Sequence, residues 1–422
     1  MSELSALRVH GETTIGWDVA TPVNERVDEN GTPMPIDADF GVADPRAPAQ
    51  RVYDDPEVVA LRDHLREYNG LPHLEICSPD EVDRAVRIFR RDGFVVVRDL
   101  LDAEHLGKFR DGCERHLKDL LSHAGVDGRK YAAETGRLAH RYCYGTSSAS
   151  RQMMHDRAWV DMIDLPSSTP IVSAIFGTED YLVWGGGGDL SIPGAVEYQH
   201  LHTDGVDTQE NGDVRLQYLR ELGEDLPDGD FKDLDFRTQR WVMDRTNPGV
   251  TINFAMTDLT WENGPIRQIP GTHTATEKPP TLETEPEWMR LSTLVGAPAG
   301  AGIIRDSRAW HGATPNLSRE IRALPSIEYA AGWRDATGFR ATMPHEIWET
   351  LSPHAQHICR YVKEVPGVWP HGAGVMHPLA IERQRAFEAS AGKGGNVRSV
   401  LTDPSSAGTA LRLFNEQVSA DY

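Results

Sequence analysis

The stretch Tyr198-Gln199-His200-Leu201-His202-Thr203-Asp204-Gly205 places two histidines and an aspartate at alternate positions. In a β-strand, alternate side chains lie on the same face of the sheet. A strand here would therefore direct His200, His202 and Asp204 to one side, where a histidine and a carboxylate can bind the same metal ion. The stretch predicts part of a metal site on a β-strand.

A second stretch, Arg308 to Arg322, supplies what the first one lacks. His311 offers a third ligand and completes the two-histidine, one-carboxylate set that is typical of non-haem Fe(II) oxygenases. A Pro-Asn turn follows and favours a hairpin that places Arg322 on the strand next to His311. A guanidinium there can bind the far carboxylate of a dicarboxylate whose other end chelates the metal. Arg319 is a competing candidate, but it lies closer to the turn.

At these residues the chain resembles the phytanoyl-CoA dioxygenase family of Fe(II)/2-oxoglutarate-dependent oxygenases. The family's His-x-Asp pair falls on His202 and Asp204, its distal histidine on His311, and its oxoglutarate-binding arginine on Arg322. Residues 258–273 resemble the family's Glu-Asn-Gly and Pro-Gly-Ser-His signatures, with a threonine in place of the serine, and residues 91–97 resemble its opening strand. The resemblance covers roughly residues 78–345.

The resemblance implies Fe(II), 2-oxoglutarate and O2 as cofactor and co-substrates, and a small-molecule substrate. Family members couple the decarboxylation of 2-oxoglutarate to oxidation of the substrate, with release of succinate and CO2. Related halogenases have a small residue at the position of Asp204, so a carboxylate there indicates hydroxylation or a similar oxidation. Hydroxyl groups of Thr314 or Ser318 are expected to assist Arg322 at the far carboxylate.

Other side chains near these motifs are candidates for the substrate pocket. His200 shares the expected strand face with the ligands, so it is either a pocket residue or a hydrogen-bonded core histidine. The remaining pocket candidates are Gln199, Asn253, Arg267 and His273.

The pattern of apolar residues predicts an α+β fold with a mainly β core. Helices are expected at 58–68, from Ser78 to about Asp92, from Asp102 to about Ser122, at 344–362 and near 407–419. Many short strands separated by Gly and Pro favour a double-stranded β-helix, or jelly-roll barrel, with the helices on one outer face. The expected strands include 181–184, 197–202, 249–258, 266–269, 301–306 and 321–331.

These patterns divide the chain into an N-terminal extension (1–77), an oxygenase domain (78–345) and a C-terminal helical extension (346–422). Within the oxygenase domain, residues 207–235 form an acidic insertion with ten Asp and Glu residues against three basic ones. The insertion follows the metal-binding stretch directly, and such segments are either solvated loops or lids over the substrate. As a lid, its charge would favour a neutral or cationic substrate.

Composition excludes several classes of partner. A net charge of −21 argues against nucleic acid and anionic membrane surfaces. No apolar run is long enough to cross a bilayer, and the first residues lack the apolar segment of a secretory signal. Four scattered cysteines show no metal or redox spacing and indicate a cytoplasmic protein with reduced thiols.

Two further interpretations of the sequence compete with the oxygenase. A catalytically altered or non-enzymatic jelly-roll protein would bind metal without turnover. A metal-dependent isomerase or hydrolase on a similar barrel would have no need of Arg322.

Overall fold

The computed structural model describes residues 3–17, 51–124, 131, 137–148, 150–205, 211–334, 336, 339 and 341–366. The expected helix near 407–419 lies outside these residues. The described part of the chain forms a mixed α/β fold. Its helices are α1 (Pro56–Glu67), α2 (Val82–Asp92), α3 (Ala103–Ala124), α4 (Arg157–Val160), α5 (Thr169–Phe176), α6 (Gly212–Glu221), α7 (Phe236–Arg245), α8 (Trp288–Leu291), α9 (His345–Trp348) and α10 (Pro353–Ile358).

The described strands fall into two sheets. The large sheet has the order β1-β2-β7-β5-β9-β4-β3, and the small sheet pairs β6 with β8. All these pairings are antiparallel except that of β1 with β2. The strands are β1 (Ile76–Cys77), β2 (Phe94–Val97), β3 (Arg141–Cys143), β4 (Leu182–Ser191), β5 (Gly249–Phe254), β6 (Ile266–Gln268), β7 (Gly302–Asp306), β8 (His311–Ala313) and β9 (Arg322–Ala330).

Strands β2 and β7 show how the large sheet buries both of its faces. Val95 and Ile304 pack with helices α2 to α5 in the main apolar core. Their neighbours Phe94 and Ile303 point to the opposite face and pack with Ile266 of the small sheet. This alternation is the period of two that a strand imposes. It explains why β2 is an unbroken apolar run and why β7 has two consecutive isoleucines.

Isolated bridges extend the small sheet on both sides. His202 bridges to His311, Ala195 to Asn316, and Arg267 to Leu294. The chain segment 195–202 therefore runs beside β8, although only single residues of it pair. The expected strand at 197–202 is replaced by this irregular segment, which nevertheless holds His202 next to His311.

Several other expectations need correction. The chain between β8 and β9 does not form a hairpin, because β8 pairs with β6 whereas β9 pairs with β4 and β5. The helix expected at 344–362 is two short helices, α9 and α10, separated by a new helix start at Ser352, whose hydroxyl accepts from the N–H of Ala355. Helices also lie on more than one face, since α1 and α8 pack with Leu317 and Val196 on the side of the small sheet.

Part of the expected N-terminal extension is built into this side of the fold. The indole N–H of Trp17 donates to the carbonyl of Ser318, and Arg62 donates to the carbonyl of Leu317. Arg51 is fully buried and pairs with Glu197 at 2.6 Å, just before the metal-binding stretch. Among the helices in the described part of the chain, none has the length and apolar character that a bilayer crossing requires.

Candidate metal centre and its cavity

His202, Asp204 and His311 converge at one point. The backbone N–H of each histidine donates to the carbonyl of the other at 3.0 Å, which brings the two imidazole rings to 4.3 Å. Oδ1 of Asp204 lies 3.8 Å from Nε2 of His202 and 3.4 Å from Nε2 of His311. One ligand atom from each of the three side chains lies within 4.8 Å of the others. Metal bonds of about 2 Å fit this spacing.

The outer nitrogens of both histidines are already hydrogen-bonded. Nδ1 of His202 lies 3.2 Å from the carbonyl of His200, and Nδ1 of His311 lies 3.0 Å from the carbonyl of Ala309. Because a carbonyl oxygen only accepts, each Nδ1 carries the hydrogen and each Nε2 keeps its lone pair for a metal. Burial and the neighbouring His311 lower the pKa of His202 to about 3, which keeps its ring in the neutral, ligating form.

The second carboxylate oxygen of Asp204 is held by an arginine that the sequence motifs did not indicate. Nη1 of Arg305 lies 2.6 Å from Oδ2 of Asp204, and Nε of Arg305 donates to Oδ1 of Asn253 at 2.8 Å. Burial by itself would raise the pKa of Asp204, but the charge of Arg305, together with the neighbouring His311, outweighs it and holds this pKa well below its usual range. Asp204 is therefore anionic, with one oxygen directed at the histidines.

A cavity of about 680 Å³ opens beside His202 and Asp204. Three of the predicted pocket residues, His200, Gln199 and Asn253, line it. The amide oxygen of Gln199 accepts from the N–H of Ala313 at 3.1 Å, which ties this wall to β8.

Arg322 lies in a smaller cavity of about 20 Å³ whose lining includes Arg137, Arg141 and Asp189. Gln199, Asp189 and Arg137 line both cavities, so the two adjoin. Nη1 of Arg322 donates to the carbonyl of Asp189 at 3.2 Å. Its Nε has no hydrogen-bond partner among the described residues, and neither have Nε and Nη1 of Arg141.

These two arginines are buried but remain cationic. Burial lowers the pKa of Arg322 to about 10, and burial together with the charge of Arg322 lowers that of Arg141 to about 9. Arg319 is placed differently, because its guanidinium stacks on the ring of Tyr53 at 3.8 Å. Buried guanidinium N–H groups without partners fit a carboxylate, so the residues present suit the far end of 2-oxoglutarate.

Four residues predicted from the sequence line neither cavity, because their polar atoms are used elsewhere. The hydroxyl of Thr314 donates to the carbonyl of Pro265, and that of Ser318 donates to the side chain of Asn316. Arg267 is fully buried in an ion pair with Glu285 at 2.9 Å. His273 packs under α2, where its Nε2 lies 3.2 Å from the carbonyl of Arg90.

The insertion is a folded element over residues 211–235. It contains α6 and packs with α7 around Leu216, Leu219, Phe231 and Val242. Residues 207–210 lie outside the described residues. The described part of the insertion contributes Asn211 and Arg215 to the cavity wall, and the Arg215 guanidinium lies 4.4 Å from the ring centre of Trp333. Among residues 211–235, none of the acidic side chains lines the cavity, and the role of the insertion as a lid stays a prediction.

The sequence from residue 89 to residue 324 matches the family model for phytanoyl-CoA dioxygenase (PhyH). This match covers more than half of the chain, which therefore belongs to the phytanoyl-CoA dioxygenase family and is an enzyme of the Fe(II)/2-oxoglutarate-dependent dioxygenase type. Fe(II) and 2-oxoglutarate are the metal and co-substrate of that family, and both fit the residues described above.

A curated relative is the dioxygenase af480 of Aspergillus fumigatus, which is 32% identical over 111 residues. These residues cover 26% of this chain and 35% of the relative, so the match spans about a third of the relative's length. The alpha-ketoglutarate-dependent epimerase SnoN from nogalamycin biosynthesis is 15% identical over 60% of this chain and 84% of that one, with a TM-score of 0.38. HygX from Streptomyces hygroscopicus is 16% identical over 59% and 86%, with a TM-score of 0.39.

Proposed function

We propose that this protein is a dioxygenase that uses Fe(II), 2-oxoglutarate and O2 to oxidise a C–H bond of a small-molecule metabolite, with hydroxylation as the reaction and succinate and CO2 as co-products. The observation that carries the proposal is the pairing of two features. Three metal-binding atoms, from Asp204 and the two histidines, converge. A buried arginine with an N–H group that has no partner among the described residues lies in the adjoining cavity.

In this proposal, Nε2 of His202, Nε2 of His311 and Oδ1 of Asp204 hold the iron. The iron and 2-oxoglutarate, when bound, supply the oxidising equivalents by activating dioxygen. Arg322 and Arg141 bind the far carboxylate, which satisfies N–H groups that are otherwise costly to bury.

The other residues orient these groups. Arg305 holds Oδ2 of Asp204 and so presents a single oxygen to the metal, which leaves coordination positions for co-substrates. The carbonyls of His200 and Ala309 fix the ring orientation of the two histidines. Asp204 itself supports hydroxylation, because a carboxylate there occupies the position that a halogenase leaves to chloride.

The wider organisation is part of the same proposal. We propose that the large and small sheets form the double-stranded β-helix, within an oxygenase domain of residues 78–345 flanked by the two extensions. All four cysteines are unpaired, three of them buried, which supports a reducing compartment such as the cytoplasm.

The test is the spectrum of the anaerobic protein with Fe(II) and 2-oxoglutarate, followed by measurement of succinate after air is admitted. We expect a weak visible charge-transfer band that requires both additions, and succinate that forms only when both are present. The band without succinate would support an altered, non-catalytic relative. The absence of the band would contradict the assignment.

A further inference from the structure

Strand β9 contributes side chains to both cavities. Arg322 lines the small cavity, whereas Ser326 and Glu328 line the large one. These residues are separated by even numbers, so they share one face of the strand. The Glu328 backbone pairs with Thr251 of β5 on one side and with Gly185 of β4 on the other. Glu328 is therefore fixed in the middle of the sheet that forms this wall.

The carboxylates that line the large cavity differ in their partners. Asp204 pairs with Arg305 at 2.6 Å, and Asp189 pairs with Arg137 at 2.9 Å. Glu328 makes neither a hydrogen bond nor an ion pair with any residue that the structure describes, although it lines the same cavity. A half-buried carboxylate without a hydrogen-bonded partner is costly, and the charge of Arg305, which is already paired with Asp204, offsets only part of that cost.

The basic side chains of the wall are engaged with other groups. The Arg215 guanidinium lies over Trp333 and that of Arg334 lies over Trp184, each at 4.4 Å from the ring centre. Burial and the negative charge of Asp204 raise the pKa of Glu328 to about 7. A cation that approaches Glu328 would lower this pKa again. A cation that pairs directly with Glu328 would therefore come with the ligand.

We propose that Glu328 is a substrate-binding residue and that the substrate presents a protonated amine to it. This inference rests on the proposed function, because it takes the large cavity beside the metal centre as the substrate cavity. An ammonium donates to an anionic carboxylate, whereas a substrate carboxylate at this position would add a second uncompensated negative charge. In this proposal the preference for a cation originates in Glu328 of the cavity wall.

The experiment uses three probes with the same phenyl ring and different head groups: benzylamine, benzyl alcohol and benzoate. Each is titrated by calorimetry into the anaerobic Fe(II) enzyme saturated with 2-oxoglutarate, so that benzoate cannot occupy the Arg322 site. A pH of about 8 keeps the amine protonated and Glu328 ionised. The variants are Glu328→Gln, which removes the charge at nearly constant shape, and Asp228→Asn, an exposed acidic position of the insertion.

We expect benzylamine to bind the wild type more tightly than benzoate and to lose about tenfold or more in affinity in Glu328→Gln. Benzyl alcohol should change much less, and Asp228→Asn should behave as the wild type. Three results would overturn the proposal: no detectable binding of benzylamine, tighter binding of benzoate, or a preference for benzylamine that persists in Glu328→Gln. The charge-transfer band, which Glu328 does not contribute to, reports separately whether the proposed function holds.

Discussion

Two polar clusters adjoin in this protein. One presents acceptor atoms that face one another, whereas the other presents donor atoms without partners among the described residues. In the metal cluster of His202, Asp204 and His311, the outward atoms have partners and the inward atoms are acceptors that face one another. In the guanidinium pair of Arg141 and Arg322, the atoms without partners among the described residues are donors. One cluster is built for a cation and the other for an anion.

The contrast indicates what kind of ligand joins them. A buried charged donor without a partner costs several kcal/mol, and three converging acceptors favour the binding of a cation. Gln199 lines both cavities, so the two clusters lie in adjoining spaces. A dicarboxylate that chelates a metal at one end and meets guanidinium groups at the other satisfies both clusters together. The predictions below separate the contributions of the two clusters.

Loss of a metal ligand should have the largest effect. We expect Asp204→Ala and His311→Ala to abolish succinate formation at saturating 2-oxoglutarate, because each removes one of three protein ligands. The measurement is succinate produced with excess Fe(II), and circular dichroism checks that the fold is retained. His64→Ala, at a surface position of α1, is the matched control. Turnover like that of the wild type in either ligand variant would refute the metal assignment.

The guanidinium pair should affect co-substrate binding and leave the metal in place. Arg322→Ala should raise the 2-oxoglutarate concentration needed for half-maximal rate by on the order of 100-fold, as expected for the loss of a buried charge-assisted contact. Arg319→Ala is the control, because this arginine stacks on Tyr53. A larger effect from Arg319 than from Arg322 would show that the carboxylate binds elsewhere.

Much of the metal cluster could be predicted from the sequence, because its pattern is local. His202 and Asp204 are two residues apart, and the apolar runs that became β2, β5, β7 and β9 were visible as strands. The pairing of those strands could not be predicted in the same way. β8 and β9 are consecutive in the chain and yet lie in different sheets, because their partners come from distant segments.

The supporting residues were missed for a related reason. Arg305 meets Asp204 only because β7 lies beside the segment that carries the metal ligands, and nothing local marks it among 43 Lys and Arg residues. For the insertion, composition reports only the net charge, whereas the packing of α6 decides that Arg215 is one of its described side chains at the cavity. Alternation along β9 from Arg322 would have indicated Glu328 as a residue of the cavity wall, since both side chains lie on one face of the strand.

The smallest expected effect belongs to Arg305, which contacts the metal cluster without binding the metal. Arg305→Lys keeps the positive charge but cannot join Asp204 and Asn253 at once, so Asp204 should lose its fixed orientation. Loss of such a supporting contact typically weakens metal binding on the order of tenfold. The measurement is the Fe(II) concentration that gives half of the maximal intensity of the charge-transfer band at saturating 2-oxoglutarate.

Arg110→Lys is the control, because Arg110 donates to the carbonyl of Met256, away from the cluster. An unchanged iron requirement in Arg305→Lys would mean that the charge of Arg305, and not its geometry, prepares Asp204 for the metal. An unchanged requirement in Arg305→Met as well would show that Asp204 needs no support from this side chain.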